Sequence, residues 1–217
     1  MSQPAPTVFV VDDDISVRES LEGLVRTAGW QPETFASAQD FLARPRRLTP
    51  SCLVLDVTLP GLSGLDLQQR IVDRVDMPII FITGYGDVPM SVRAMKAGAT
   101  EFLTKPFEDE VLLVAIRNAL ERSRTTLGQE EHLRSLRDDY ASLSRREREV
   151  MVLVASGLLN KQVGRELGIS EITVKAHRGK VMRKMKAHSL ADLVNKAARL
   201  QLPVPASSRN HAPPRLV

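Results

Sequence analysis

The run Leu53-Val54-Leu55-Asp56-Val57-Thr58-Leu59-Pro60-Gly61 sets apolar, strand-forming residues ahead of one carboxylate, with a Pro-Gly turn signal four residues further on. An apolar run this short reads as a strand buried on both faces, as in a parallel sheet. Asp56 then stands at the strand's carboxyl end, where open α/β sheets place their ligand sites. Taken alone, it reads more readily as a cap for the turn before Pro60. An earlier run changes that reading. Val8-Phe9-Val10-Val11-Asp12-Asp13-Asp14 also ends in acid, and two adjacent parallel strands ending this way bring like charges together. Such a cluster is unfavourable unless a cation is bound, which makes Asp56 the candidate chemical centre.

Outward from this run, apolar strands alternate with helical stripes. Strands are predicted over 8–11, 30–35, 52–55, 78–82 and 101–103; helices over 15–28, 37–43, 64–75 and 88–97, with a further helix from Glu108. The first stripe, Val17, Leu21, Leu24, Val25 and Ala28, is closed by Gly29. Asn160, further on, is a cap for a short later helix. Five alternations give an α/β doubly wound five-stranded parallel sheet over residues 7–122, with right-handed crossovers. A nucleotide-binding fold is the alternative. It is weakened because strand one runs into Asp-Asp-Asp and not into a glycine-rich phosphate loop.

The strand ends supply Asp12 and Asp13, then Asp56, then Thr83-Gly84, then Lys105-Pro106. Carboxylates with water and a carbonyl suit Mg²⁺, which prefers hard oxygens in octahedral geometry. A carboxylate beside such a cation can act as a nucleophile on phosphorus and form an acyl phosphate. An ammonium and a hydroxyl then match the phosphoryl oxygens. The Lys105-Pro106 bond is a candidate for the cis form, although cis is the minority state.

The set Asp12-Asp13, Asp56, Thr83 and Lys105-Pro106-Phe107 resembles the receiver domain of two-component response regulators, across residues 7–122. The resemblance implies phosphorylation of Asp56 by a sensor histidine kinase. It also implies that Asp12, Asp13 and Asp56 hold Mg²⁺ together with the Thr58 carbonyl, and that Thr83 and Phe102 form a switching pair. Phe102 reads equally as a core aromatic. Thr83-Gly84-Tyr85-Gly86-Asp87-Val88-Pro89-Met90 is similar to the FixJ branch of the FixJ/NarL type.

The chain of 217 residues is long enough for two domains. Its net charge of +4 conceals a split: residues 1–124 carry 13 Lys+Arg against 17 Asp+Glu, and residues 125–217 carry 17 against 9. An acidic half joined to a basic half points to different partners, with nucleic acid the natural one for the basic half. No apolar run approaches the ~20 residues of a membrane span, and the opening residues show no secretory signal. A single cysteine, Cys52, fits core packing in a reducing cytoplasm. Residues 1–6 and 203–217 are expected to be disordered, the latter rich in Pro, Ser and Arg.

Residues 123–141 are expected to be a helical linker. The series Leu113, Ile116, Leu120, Leu127 and the series Leu133, Leu136, Tyr140, Leu143 fall out of register across Gly128. Two jointed helices and one long helix both remain open. The preferred packing sends the first series onto the sheet and the second onto the following domain, with no coiled-coil seam.

Residues 142–202 read as a helix-turn-helix domain. Ser144 and Glu147 have the spacing of a capping box, and Gly168-Ile169-Ser170 is a turn before a longer basic helix over 171–186. On a helical projection Val174, Val181 and Met185 face the core. The opposite face presents Ile172, Lys175, Ala176, Gly179 and Arg183. Lys175 reaches guanine edges, and the small Ala176 and Gly179 allow close approach to the groove floor. Arg178, Lys180, Lys184 and Lys161 suit phosphates. His177 serves either a phosphate or packing. The motifs Leu143-Ser144-Arg145-Arg146-Glu147, Asn160-Lys161 and Ile169-Ser170-Glu171-Ile172-Thr173-Val174-Lys175-Ala176-His177 resemble the LuxR/FixJ-type DNA-binding domain. The resemblance adds Thr173 to the contact helix, although a basic residue common in relatives is replaced by Gly179.

The expected function is a phosphorylation-controlled transcription regulator that binds promoter DNA as a homodimer when phosphorylated, with RNA polymerase as a further partner and no membrane. The kinase is expected to read exposed residues of the first helix, among them Ser16, Arg18, Glu19 and Glu22. A phosphohydrolase is the rival class, but such enzymes place an acid two residues after the nucleophile, where this chain has Thr58. The expectation is therefore a stoichiometric acceptor with at most slow autodephosphorylation. A DNA-binding protein whose receiver is only a scaffold is the third possibility.

Overall fold

Three strands with no polar face form the centre of the sheet. In the computed structural model, which describes residues 5–46, 48–84 and 87–203, these are β1 (Thr7–Val11), β3 (Ser51–Asp56) and β4 (Ile79–Thr83), buried along their whole length. They are flanked by β2 (Gln31–Phe35) and β5 (Glu101–Thr104), both only partly buried. Pro32 lies in β2, an edge strand, where a missing N–H is tolerated. All pairs are parallel, in the order β2-β1-β3-β4-β5. Expectations for residues 1–4, Arg47, Tyr85, Gly86 and 204–217, the tail among them, lie outside the described residues.

Side chains alternate across the sheet with period two. Phe9, Val11, Leu53, Leu55 and Phe81 enter one core, and Val8, Val10, Cys52, Val54, Ile80 and Ile82 enter the other. The helices α1 (Ile15–Thr27), α2 (Ala38–Ala43), α3 (Gly64–Arg70) and α4 (Val88–Lys96) complete this unit with the first part of α5 (Asp109–Ala141). Helix α3 is shorter than the 64–75 predicted. The chain past Arg70 leaves the helix in successive turns, through Arg74 N–H to Ile71 O and Met77 N–H to Arg74 O. Val72 and Val75, read as part of the helix, are exposed as a result.

Of the two arrangements open for the connector, the single helix is found: α5 continues through Gly128. Leu112, Ala115, Ile116, Ala119 and Leu120 belong to the sheet's core, so Leu112 takes the place given to Leu113. Leu136 and Tyr140 belong to the core of the second unit. The chain divides into these units at residues 129 and 130.

The second unit adds α6 (Arg145–Ala155), α7 (Asn160–Leu167), α8 (Glu171–Lys184) and α9 (Leu190–Arg199). Its core includes Val150, Met151, Val154, Val163, Leu193 and Ala197, together with Val174, Val181 and Met185, the predicted inner face of α8. The capping box at Ser144 and Glu147 is formed. Asn160 does not cap α7; it is the first helical residue, and the Gln162 side chain accepts the Leu159 N–H instead. Gly164 sets the tightness of the turn into α8, because a Cβ there would lie 2.7 Å from the Ile169 carbonyl oxygen.

Candidate functional site

Strands β1 and β3 are neighbours, and Val11 pairs with Leu55. Asp12 and Asp56 therefore emerge side by side at the carboxyl edge, between the two strands where the order of the sheet reverses. Carboxylate oxygens of Asp12, Asp13 and Asp56 all lie within 4.8 Å of one another. Asp12 is fully buried, Asp56 nearly so and Asp13 exposed. Asp14 is not part of this group: its Oδ1 accepts the Ser16 N–H at 2.8 Å and caps α1.

Lys105 Nζ donates to Asp12 Oδ2 at 2.7 Å and to Asp56 Oδ2 at 3.3 Å. The free oxygens are oriented by backbone: Asp14 N–H donates to Asp12 Oδ1 at 2.9 Å, and Thr58 N–H to Asp56 Oδ1 at 3.1 Å. Burial pushes the Asp56 carboxyl above its ordinary range and the neighbouring Asp12 charge adds to this, against the Thr58 N–H and Lys105, which pull it down. Burial alone would depress Lys105, but its hydrogen bond to Asp12 and the charges of Asp12 and Asp56 hold its ammonium above the usual value. Lys105 meets only two of the three acids, which leaves surplus negative charge at this partly buried strand edge. Hard oxygen donors in this number suit a small divalent cation.

Thr83, fully buried, ends β4, and its carbonyl accepts the Lys105 N–H at 2.7 Å. The Lys105-Pro106 peptide is cis. Phe102 is half-buried on β5, its ring tilted against Phe81 at 6.2 Å. Thr58 is exposed beside Asp56.

In the second unit, Ile172 is 80% exposed. Lys175, Ala176, Gly179, Lys180 and Arg183 are exposed on the same helix, as is Lys161 on α7. Lys175 makes an i,i+4 pair with Glu171 at 3.4 Å, weak enough to exchange for another anion. Thr173, half-buried, shares a hydroxyl contact with the capping Ser170. Arg178 Nη1 donates to Asn160 Oδ1 at 3.1 Å and so ties α8 to α7. His177 is half-buried, and its Nδ1 has no hydrogen-bond partner among the described residues. Lys184 corrects an expectation: it is not turned to phosphate but held by Glu147 Oε2 at 2.7 Å and the Ser142 carbonyl at 3.0 Å. The pair holds the Glu147 carboxyl down at about 2, the Lys184 hydrogen bond being the largest cause.

Residues 8–117 match the response regulator receiver domain family, and residues 141–197 match the luxR family of bacterial regulatory proteins. This chain is a response regulator with a LuxR-type DNA-binding domain. Nodulation protein W of Bradyrhizobium diazoefficiens is 51% identical over 94% of this chain and 88% of its own. The transcriptional regulatory protein FixJ of the same organism is 42% identical over 88% of this chain and 94% of its own. The solved structure of the response regulator StyR superposes with a TM-score of 0.82 at 48% identity, covering 90% of this chain and 99% of that one. The regulator is thus a two-component, DNA-binding regulator of transcription, as its relatives are.

Two residues of the regulator's acid site were missed in the sequence. A Cβ on Gly64 would lie 2.2 Å from the Asp56 carbonyl oxygen, so only glycine lets the start of α3 close under Asp56, with Gly64 N–H donating to Val57 O at 3.0 Å. A glycine directly after the cap Ser63 was the available signal. The other is Arg18, half-buried and turned back onto the acidic loop. No helix among the described residues is long and apolar enough to cross a membrane.

Proposed function

We propose that Asp56 is the phosphoacceptor, taking its phosphoryl group from a sensor histidine kinase, and that this event controls promoter binding through α8. The observation that carries the reading is the meeting of Asp12, Asp13 and Asp56 within 4.8 Å, with the Lys105 ammonium bridging two of them. Asp12, Asp13, Asp56 and the Thr58 carbonyl would hold Mg²⁺. When bound, Mg²⁺ neutralises the charge that builds up as the phosphoryl group arrives. Asp56 supplies the attacking oxygen. Lys105 and the Thr83 hydroxyl receive the phosphoryl oxygens, and Phe102 follows Thr83 as the second half of the switch.

Phosphorylation then shifts a two-state equilibrium of the receiver, residues 7–122, towards a homodimer. Through the linker 123–141 it presents two DNA-binding domains, residues 142–202, to successive half-sites in the cytoplasm. Lys175, Ile172, Ala176, Gly179 and Arg183 face the bases, with Thr173 at the entry of the helix. Lys161, Arg178, Lys180 and His177 serve the backbone phosphates, and RNA polymerase is engaged from the bound dimer. With Thr58 at 58, no side-chain acid follows the acceptor by two residues, which supports slow autodephosphorylation over turnover. Incubation with a small phosphoryl donor tests this. One stoichiometric, slowly decaying label is expected, and continuous release of phosphate contradicts it. Unchanged operator affinity for Asp56→Asn under phosphorylating conditions would leave the receiver a scaffold.

A further inference from the structure

One guanidinium meets the loop that carries two of the three acids. Arg18 Nη1 donates to the backbone oxygen of Asp12 at 2.8 Å and to that of Asp13 at 2.9 Å. It can do so because Asp14 caps α1 and the Arg18 N–H closes the first turn on the Asp14 carbonyl at 3.1 Å, placing the side chain over the loop it follows. The Asp13–Asp14 peptide group is thereby gripped at its oxygen. Its N–H, which points the opposite way in a trans peptide, donates to Asp12 Oδ1 at 2.9 Å. Asp12 Oδ2 is already taken by Lys105. The orientation of one peptide plane therefore sets the orientation of the Asp12 carboxylate.

We infer that Arg18 is a positioning residue for the cation site, acting on Asp12 through the Asp13–Asp14 peptide; this rests on the reading that Asp12, Asp13 and Asp56 hold Mg²⁺. Arg18, expected among the exposed residues of the first helix, is half-buried, with its guanidinium on the Asp12 and Asp13 carbonyls. The sign of its effect separates this role from simple electrostatics. A guanidinium near a divalent cation repels it, so by charge alone its removal should tighten Mg²⁺ binding. A positioning role demands the reverse, because a carboxylate released from its set orientation is a poorer ligand.

The test is the Mg²⁺ dissociation constant of the full chain by titration calorimetry, for the unaltered protein, Arg18→Met and Arg18→Lys. Arg18→Met is expected to weaken Mg²⁺ by about tenfold, the effect typical of groups that orient ligands. Arg18→Lys keeps the charge but puts a rotatable ammonium on a different stem in place of the fixed Nη1, so it should fall in between. For both, phosphorylation by a small donor should return to the unaltered rate at saturating Mg²⁺, a recovery that mere loss of folded protein would not give. Equal or tighter binding by Arg18→Met overturns the inference. If that variant does not fold, equal or tighter binding by Arg18→Lys does so. Should the unaltered chain itself bind no Mg²⁺, the reading of the acid cluster fails and this inference with it, an outcome distinct from a bound Mg²⁺ that is indifferent to Arg18.

Discussion

The two ends of one sheet use similar residues to opposite effect. At the amino end, the Ser51 N–H donates to Ser123 Oγ at 2.9 Å, and that hydroxyl donates to the Asp76 carbonyl. The buried Asp76 carboxylate takes Arg46 at 2.6 Å. One acid meets one base, and the buried hydroxyl has both its partners. At the carboxyl end three carboxylates face only the Lys105 ammonium and the Arg18 guanidinium, which is spent on backbone oxygens, and the Asp56 carboxyl is pushed up by burial. A balanced polar group at a strand end reads as architecture; an unbalanced one reads as a site waiting for a ligand.

The largest expected effect that sharpens this contrast comes from the residue beneath Asp56. Gly64→Ala must move either α3 or the Asp56 backbone, since its Cβ would lie 2.2 Å from the Asp56 carbonyl oxygen. Overpacking against backbone should cost up to ~3 kcal/mol, read as a lower urea midpoint, with the phosphoryl label reduced as well. At the other end, Ser123→Ala strands the Ser51 N–H and the Asp76 carbonyl. A loss of ~2 kcal/mol is expected, with Mg²⁺ affinity unchanged. An equal loss of Mg²⁺ affinity would break the comparison.

Acid titration gives a third, smaller effect in the second unit, where Glu147 is balanced by Lys184 as Asp76 is by Arg46. The folded Glu147 carboxyl lies at about 2, below its ordinary 4.5. Its stabilisation is therefore complete above pH 4.5 and lost as the pH falls towards 2. The α8-bearing unit should weaken across that window, and Glu147→Gln should flatten the slope. Asp56 behaves in the opposite sense. Its folded carboxyl is raised, so the stability it allows is present in acid and lost as pH rises through the folded value. Asp56→Asn should slightly raise the melting temperature at pH 7 without Mg²⁺, and a fall would contradict the unbalanced charge.

Much of this was legible because strand burial and helix stripes leave strong periodic signals: the five strands, the acids at their ends and the inner face of α8 are all readable from spacing. Side-chain destinations were less so. Lys184 looks like any basic residue of an exposed helix until the fold brings Glu147 from another helix to within 2.7 Å. The end of α3 depends on the turns after Arg70, and Gly64 matters because the carboxyl end of β3 comes back within 2.2 Å of where its Cβ would stand. Charge and hydropathy mark which face a residue takes, whereas pairing between elements far apart in sequence is settled by packing.

The surplus acid at the carboxyl edge is tested most directly by locating the phosphoryl group. The full chain, incubated with a small phosphoryl donor with and without Mg²⁺, should carry one label, on Asp56, formed only when Mg²⁺ is present and absent from Asp56→Asn. A label on another residue, or one that forms equally well without Mg²⁺, would contradict the account.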